Sequence, residues 1–548
     1  MANRRSRGRV PASASGPPAV ATIDSSWWRD FALAIVLALV IGLIPSGAAS
    51  ELFANKDLVD AAGENGGRPP TSPETGAPPN NNVAPPKVSK DFQPPSADHV
   101  FDIVITGGRV MDPASGFDRV ANVGVDGKQV TQISTEKLKG RRKIDASGLV
   151  VAPGFIDILS YDPNDYGAWF KIADGVTTNL LMHGGTVVSA AEWFSRWEGQ
   201  TPVHIGGAFD ASLAREALGI GTTEAASDSQ IQQLVETARR TLDEGWIGVH
   251  FQPEYSPGTT YEEIREISEV AADKNVPVFF HARYSDMEPP GTNVQAIDEV
   301  LRTARDTGAS VHVEHINSTG GTFLMEQSLQ TLADARADGI DVTACVYPYN
   351  FWATYLGSNR FAPGWEERFR ISYNDLVIPG TGERLTAESF QRYQAENVLA
   401  AAFAIPEKDV RTALQSDFVM MGSDAILEPD GNNHPRAAGT FSRVLGKYVR
   451  EENLISLMDG LAKMTILPTR RLEAQAPALR TKGRLQMGAD ADITIFDPDT
   501  VIDRATVTDP AQESVGIEWV LVVGRIAKDP RRLHRDVLAG EAVRSKFT

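Results

Sequence analysis

The chain has 548 residues and a single cysteine, Cys345. One thiol cannot build an intrachain disulfide framework, and no cysteine-rich zinc module is available, so folding must rest on packing. Basic charge is also scarce. With 53 Lys and Arg against 71 Asp and Glu, the formal net charge of −18 argues against a nucleic-acid surface. The apolar run "FALAIVLALVIGLI" covers only residues 31–44, short of the roughly 20 residues that a spanning helix needs. What is plentiful is hydrophobic content, 42% of the chain, enough to bury one large core and a smaller one.

The basic residues gather at the start, where Arg4, Arg5, Arg7, Arg9 and Arg29 precede the apolar run, and Pro45 with "SGAAS" follows it. That order reads as an export signal in residues 1–50, placing the protein in the periplasm, on the cell surface or outside the cell. Trp27 and Trp28 flank the run, so residues 27–49 can also serve as an uncleaved membrane tether. Residues 51–98, rich in Pro, Gly, Asn and Ser, read as an extended linker.

From residue 99 the text becomes strand-like, in "FDIVITGGRVMDP" and "NVGVDGKQVTQIS", and the same style returns in "GADADITIFDPDTV" and "IEWVLVVGRIA". Residues 99–149 and 466–548 are therefore expected to form one small β-sandwich domain from both ends of the folded region. Between them, over 150–465, eight apolar runs alternate with helical stretches: 150–159, 177–183, 202–209, 247–252, 277–282, 310–315, 341–347 and 418–424. Eight β-α units predict an α/β fold of the (β/α)8 TIM-barrel type, with its active site at the C-terminal strand ends. The interruption at 349–406 is too long for a plain loop and is expected to be a lid or pocket insertion.

Polar residues converge on that rim. His183, His281 and His315 end the second, fifth and sixth runs, His250 lies in the fourth, and Asp424 ends the eighth. A lone strand histidine is usually a hydrogen-bonded core residue, but four with an aspartate are hard to explain by packing. Imidazoles from neighbouring strands can hold one divalent ion such as zinc, and a carboxylate across the barrel can act as general acid/base in amide hydrolysis. His204 sits near a strand start and is expected to be structural, His312 has the opposite side-chain parity from His315 and is expected to face the helices, and His99 and His534 fall outside the barrel. Cys345, among apolar residues, reads as a buried inert thiol.

Taken in order, "ASGLVVAPGFIDI", "DGVTT", "HAR", "VEHINSTGG", "GIDVTACVYPY", "MGSDA", "HPRAAGTFSRVLGKYVRE" and "GRLQMGADADITIFDPDTVIDRA" make the chain resemble the amidohydrolase superfamily, in its N-acyl-D-amino-acid deacylase branch. The resemblance covers about 101–530. It implies that His281 and His315 are metal ligands, that Asp424 is the general acid/base, that Arg436 can bind a carboxylate, and that Tyr347 and Tyr349 line the pocket. Tyr161 and Asn317 join this group as candidate substrate contacts. Departures accompany the matches. The strand-one His-x-His pair is replaced by Leu159 and Tyr161, and the strand-two cysteine of typical D-aminoacylases by Gly184, beside His183. Strand four carries His250 and no lysine.

Two readings follow. Either one metal, most simply zinc, is held by His281 and His315 with His183 or His250, or the barrel has lost catalysis and binds a ligand or a protein. The expectation favours hydrolysis of a linear amide, an N-acyl-D-amino acid or related small molecule, over a cyclic amide or lactone.

Overall fold

The computed structural model describes residues 85–185 and 189–546. The export signal and the tether expected at 27–49 lie outside them, and among the described residues no helix is long and apolar enough to cross a membrane. Residues 85–98, expected within the linker, lie against the outer sheet: Val88 N donates to Met487 O at 3.0 Å, and Phe92 packs on the apolar cluster there.

That outer sheet begins with β1 (Val100–Asp112), β2 (Phe117–Asp126), β3 (Gln129–Ser134), β4 (Lys139–Asp145) and β5 (Val150–Pro153). The barrel strands are β6 (Phe155–Asp157), β7 (Val176–Leu181), β8 (His204–Gly207) continuing as β9 (Phe209–Asp210), β10 (Val249–Phe251), β11 (Val278–Phe280), β12 (Val311–Val313) and β13 (Val342–Val346). The insertion supplies β14 (Trp352–Tyr355), β15 (Leu376–Ile378), β16 (Glu383–Arg384) and β17 (Leu399–Ala402). The eighth barrel strand is β18 (Val419–Met421), and β19 (Ile493–Phe496), β20 (Ile517–Val522), β21 (Arg525–Asp529) and β22 (Arg532–Leu533) return to the outer sheet.

Each of the eight expected apolar runs supplies a parallel barrel strand, in the α/β order β6-β7-β8 and β9-β10-β11-β12-β13-β18, with β8 and β9 as two pieces of one strand around Ala208 and the first run shared with β5 of the outer sheet. Helices separate them where the sequence provides stops and starts. Thr292 and Gln295 form a capping box at Asn293–Thr307, and Gly308, at φ 74°, ends that helix where a side chain would be strained. No ladder joins β18 to β6. That seam is bridged instead by Asp424 N donating to Leu159 O (2.7 Å), Ser423 N to Asp157 Oδ1 (2.9 Å), and Lys171 Nζ to both Asp157 Oδ2 (2.7 Å) and Ser423 Oγ (2.8 Å). Lys171 is almost fully buried, so its charge is tolerated only because Asp157 meets it.

The outer domain draws its strands from both ends of the folded region. Its nine strands are hydrogen-bonded in one path, β22-β21-β20-β19-β5-β1-β2-β3 with β4 on β1, yet Ile105, Val123, Ile493 and Leu521 share one apolar cluster. The break in register between Ile105 and Gly108 lets β1 pair with β4 along its first half and with β5 along its second. The segment 466–548 is also divided. The helix Ile466–Leu472 packs on β18 and β6, and Val543 N donates to Ile205 O at 2.7 Å, so this part closes the base of the barrel.

Candidate active site

Past the ends of β7, β11 and β12 the backbone turns inward and carries four donors to one point. The ligand atoms of His183, His281, Glu314 and His315 all lie within 4.8 Å of one another, and all four residues are buried. His281 Nδ1 is 3.0 Å from His315 Nε2, and His183 Nδ1 is 2.5 Å from Glu314 Oε2. His315 holds φ at +26°, a strained backbone for a residue with a side chain. The strand ends at Val313, and this twist lets the adjacent Glu314 and His315 face the same space, which strict strand alternation forbids.

The electrostatics suit a ligand set. Burial, then the neighbouring imidazoles of His315 and His183, hold His281 well below its usual range, and burial likewise lowers His315 to about 4, so both stay neutral with lone pairs free. Burial pushes against ionisation of Glu314, but His250 and His183 outweigh it and keep the carboxyl well below its ordinary value. Glu314 Oε1 is buried without a hydrogen-bond partner among the described residues, as a donor atom awaiting a cation would be. Three imidazoles and one carboxylate therefore fit a divalent metal.

Asp424 stands on the opposite strand end, its Oδ1 3.7 Å from His183 Nε2, with φ at +53°. Arg436 Nη2 forms an ion pair with Asp424 Oδ2 at 2.9 Å, and its Nε donates to Asp424 O at 3.0 Å. Tyr161 OH donates to the free oxygen, Oδ1, at 3.2 Å. Burial alone would raise the aspartate, but Arg436, His315 and His183 hold it below its usual value, so it is a carboxylate. Tyr161 is pushed well above the ordinary phenol range by burial and by Asp424, so it remains a donor.

These groups line a cavity of about 630 Å³ with Asp162, Tyr255, Trp352, Tyr355, Arg360 and His434 among its walls. Other expected site residues stand elsewhere. His250 is not in the ligand cluster: its Nδ1 is 2.7 Å from Asp210 Oδ2 and its Nε2 3.3 Å from Glu314 Oε2, behind that carboxylate. Burial opposes its charge, yet the two carboxylates push it up to about 10, so it is an imidazolium that steadies Glu314. Asn317 does not reach the cavity either, because its Nδ2 is spent on Tyr347 O (3.1 Å) and Tyr349 O (3.4 Å). Tyr347 lies under the Arg436 guanidinium, 4.6 Å from ring centre, and Tyr349 faces Arg443, so both are packed behind the wall. His312 hydrogen-bonds Thr343 Oγ1 at 2.7 Å and His204 approaches Asp492 Oδ1 at 3.0 Å; both are structural. Cys345 is buried, and its Sγ accepts from His315 N at 3.3 Å.

Sequence reasoning missed three polar groups here. Glu314 stood in the quoted "VEHINSTGG" and was hidden by the alternation rule. Glu254 accepts from Ser285 Oγ at 2.6 Å, and its other oxygen lies 2.7 Å from His281 Nε2, fixing that ring as a carboxylate behind a metal-binding histidine does. Arg360, from the 3-10 turn Asn359–Phe361, is buried over the Trp352 ring at 4.1 Å, and its Nε has no hydrogen-bond partner among the described residues.

The two strand-one positions where the resemblance implies a His-x-His pair are filled by packing. Leu159 is fully buried in an apolar cluster with Ile158, Met182, Cys345 and Met420, and a Cβ on Gly422 would lie only 2.5 Å from Leu159 Cβ. Tyr161 edges onto the His183 ring, centroids 5.3 Å apart.

Comparison with known proteins agrees with this architecture. Over 469 residues the chain is 33% identical to an N-acyl-D-glutamate deacylase of Alcaligenes xylosoxydans xylosoxydans, covering 77% of this chain and 93% of that one. It is 30% identical over 473 residues to a D-aminoacylase of the same organism, covering 77% and 94%. The crystal structure of N-acyl-D-glutamate deacylase from Bordetella bronchiseptica, complexed with zinc and a phosphonate mimic of the tetrahedral intermediate, matches with a TM-score of 0.70 at 27% identity, over 81% of this chain and 100% of that one. Residues 170–525 match the amidohydrolase family as a whole. The chain belongs to the amidohydrolase family, hydrolases acting on carbon–nitrogen bonds.

Proposed function

We propose that the protein hydrolyses the linear amide of an N-acyl-D-amino acid with the help of one zinc ion. The observation that carries this reading is the buried quartet His183, His281, Glu314 and His315 facing an ionised Asp424 across a substrate-sized cavity. A zinc ion held by the quartet would supply Lewis-acid polarisation of the amide carbonyl and a more acidic attacking water. One ion is the expected number, because apolar packing of Leu159 closes the deep side of the site.

The chain's own groups account for the proton. Asp424 Oδ2 is tied to Arg436, which leaves Oδ1 to take a proton from the attacking water and deliver it to the leaving nitrogen. Tyr161 OH keeps Oδ1 aimed at the cavity while that oxygen is ionised. Two guanidinium donors on the wall make no hydrogen bond among the described residues, Arg436 Nη1 and Arg360 Nε, the latter 3.7 Å from Glu254 Oε2, and they suit the carboxylates of an acidic D-amino acid. This extends the carboxylate-binding role expected of Arg436 to an arginine of the insertion.

The test is elemental analysis of the full chain, purified without affinity histidines or chelator, together with turnover of N-acetyl-D-glutamate and its L-enantiomer. About one zinc per chain and D-selective release of free amine is the expected result. A chain that takes up no metal after incubation with zinc, iron or manganese, or that loads zinc yet leaves N-acyl-D-amino acids intact, overturns the reading.

A further inference from the structure

The insertion sheet runs β14-β17-β15-β16, so β14 is an edge strand, and it lines the cavity through Trp352, Ala353, Thr354 and Tyr355. Its register shows which way its backbone faces. Trp352 to Tyr355 pair with Ala402 to Leu399, and Leu356 N continues that pattern by donating to Val398 O at 3.0 Å. In an antiparallel pair alternate residues exchange both their bonds, so residues 352, 354 and 356 face β17 while 351, 353 and 355 face away. The outward side is the cavity side. Phe351 O accepts from His434 Nε2 at 3.1 Å, and His434 is itself a cavity wall. The ring's tautomer is set by Arg436 N, which donates to His434 Nδ1 at 2.9 Å.

Further along this edge the groups are free. Among the described residues no hydrogen bond reaches Ala353 N–H, Ala353 C=O or Tyr355 N–H, whereas Tyr355 C=O accepts from Ser358 N at 2.9 Å. Natural proteins usually blunt such an edge with proline, lysine or a bulge. "WATY" contains none of these, and Tyr355 is 55% exposed at the cavity mouth. The strand therefore offers a donor, an acceptor and a donor in a row, leading outward from a wall whose inner end carries Arg360 over Trp352.

We infer that the acyl half of the substrate is a peptide laid along the free edge of β14, so that the enzyme removes a terminal D-amino acid from a peptide. The inference rests on the amide-hydrolase reading above. Extended peptides bind sheet edges through this alternation of main-chain groups, and a cavity of about 630 Å³ has room for more than an acetyl group. The chemistry is ordinary hydrolysis. Water adds to the last peptide carbonyl, the bond to the D-residue nitrogen breaks, the peptide keeps a new carboxylate, and the nitrogen leaves with a proton as the amine of the free D-amino acid.

The experiment compares four substrates of the zinc-loaded full chain that share D-glutamate as leaving group: N-acetyl, N-acetyl-dialanyl, an unbranched alkanoyl of the same length, and the dialanyl compound N-methylated at the amide between its two alanines. The dialanyl compound should exceed both the acetyl and the alkanoyl compounds in kcat/KM by at least about tenfold, which is about 1.4 kcal/mol, and N-methylation should remove most of that gain. Turnover of the dialanyl compound with none of the acetyl one also supports the inference. Equal rates for acetyl and dialanyl, an alkanoyl compound that matches the dialanyl one, or indifference to N-methylation would each overturn the peptide reading while leaving the deacylase intact. No turnover of any of the four would sink the deacylase reading, and the inference with it. Ala353→Pro deletes one outward N–H at an edge position that accepts proline, and it should bring the dialanyl-to-acetyl ratio toward one. The substrate series decides the matter even if that variant does not fold.

Discussion

The two sides of the barrel mouth are built in opposite ways. On the β6 side, Leu159 is buried among Ile158, Met182, Cys345 and Met420, and Tyr161 has become a hydrogen-bond donor to Asp424. On the side of β7, β11 and β12, three imidazoles and Glu314 converge, with Glu254 behind His281 and His250 behind Glu314. A barrel that had simply lost its chemistry would keep no reason to hold neutral His281 and His315 beside a buried Glu314 Oε1 that has no hydrogen-bond partner among the described residues, since buried polar groups without partners cost about 1 to 3 kcal/mol each. The contrast supports the proposal of a single metal held on one side.

The sharpest way to break that comparison is to remove a ligand from the retained side. His281→Ala and His315→Ala should each abolish retention of metal through gel filtration and reduce turnover to background; a variant that keeps a full zinc complement would remove the residue from the ligand set. Asp424→Asn should behave differently, retaining zinc while kcat falls by about 10²- to 10⁴-fold, the usual range for loss of a general acid/base. Full activity in that variant would refute the proton assignment.

A milder perturbation acts from behind the ligands. If His250 acts by holding Glu314, which lies 3.3 Å from its Nε2, His250→Gln should weaken zinc affinity by about 10- to 100-fold, as loss of an outer partner commonly does, without changing the stoichiometry measured by titration. Stoichiometric loss would instead promote His250 to a ligand.

The other side offers the reciprocal test. If Leu159 is packing rather than the remnant of a site, the double variant Leu159→His, Tyr161→His should gain no second tightly held metal and should lose about 2 to 5 kcal/mol of stability from a polar ring in the apolar cluster. Two metals per chain with stability unchanged would mean that the deep half is merely empty of ligands, not rebuilt.

How far the sequence announces this site follows from which rules operate locally. The eight strands and the histidines at their ends are legible because alternation and Gly-bounded apolar runs hold within strands. Glu314 is not, because it lies beyond the end of β12, where the φ of His315 cancels the alternation that the prediction uses. Arg360 is invisible for another reason: it sits in a short turn of the insertion, and only the fold brings that turn over the cavity. The surroundings of His250 are hidden as well, because its partner Asp210 is 40 residues away on the neighbouring strand piece. The outer strands are recognisable one by one, but their single hydrogen-bonded path depends on the irregularity in β1 at Ile105 and Gly108, which nothing in the local pattern marks as a change of partner.

Two buried aspartates give the smallest effect and separate charge from burial. Asp424 is pulled below its usual value by Arg436 and imidazoles, whereas Asp174 is raised to about 7 by burial, with only neutral donors around it: Phe441 N at 2.8 Å, Ser442 N at 3.0 Å and Ser514 Oγ at 2.8 Å. For Asp174 the native state holds its proton more tightly than the unfolded chain. Its contribution to stability is therefore full below about pH 4 and declines as pH rises to about 7, by at most about 1.4 kcal/mol per pH unit. For Asp424 the sign reverses: its contribution is present above the unfolded value and is lost only as pH falls through the lower native one, outside that window. Denaturant midpoints measured between pH 4 and pH 7 should thus show Asp174→Asn losing the downward slope of the wild type, while Asp424→Asn runs parallel to it. Parallel curves for all three proteins would mean that Asp174 is ionised in the fold like Asp424, and that hydrogen bonds alone can hold a carboxylate charged in this interior.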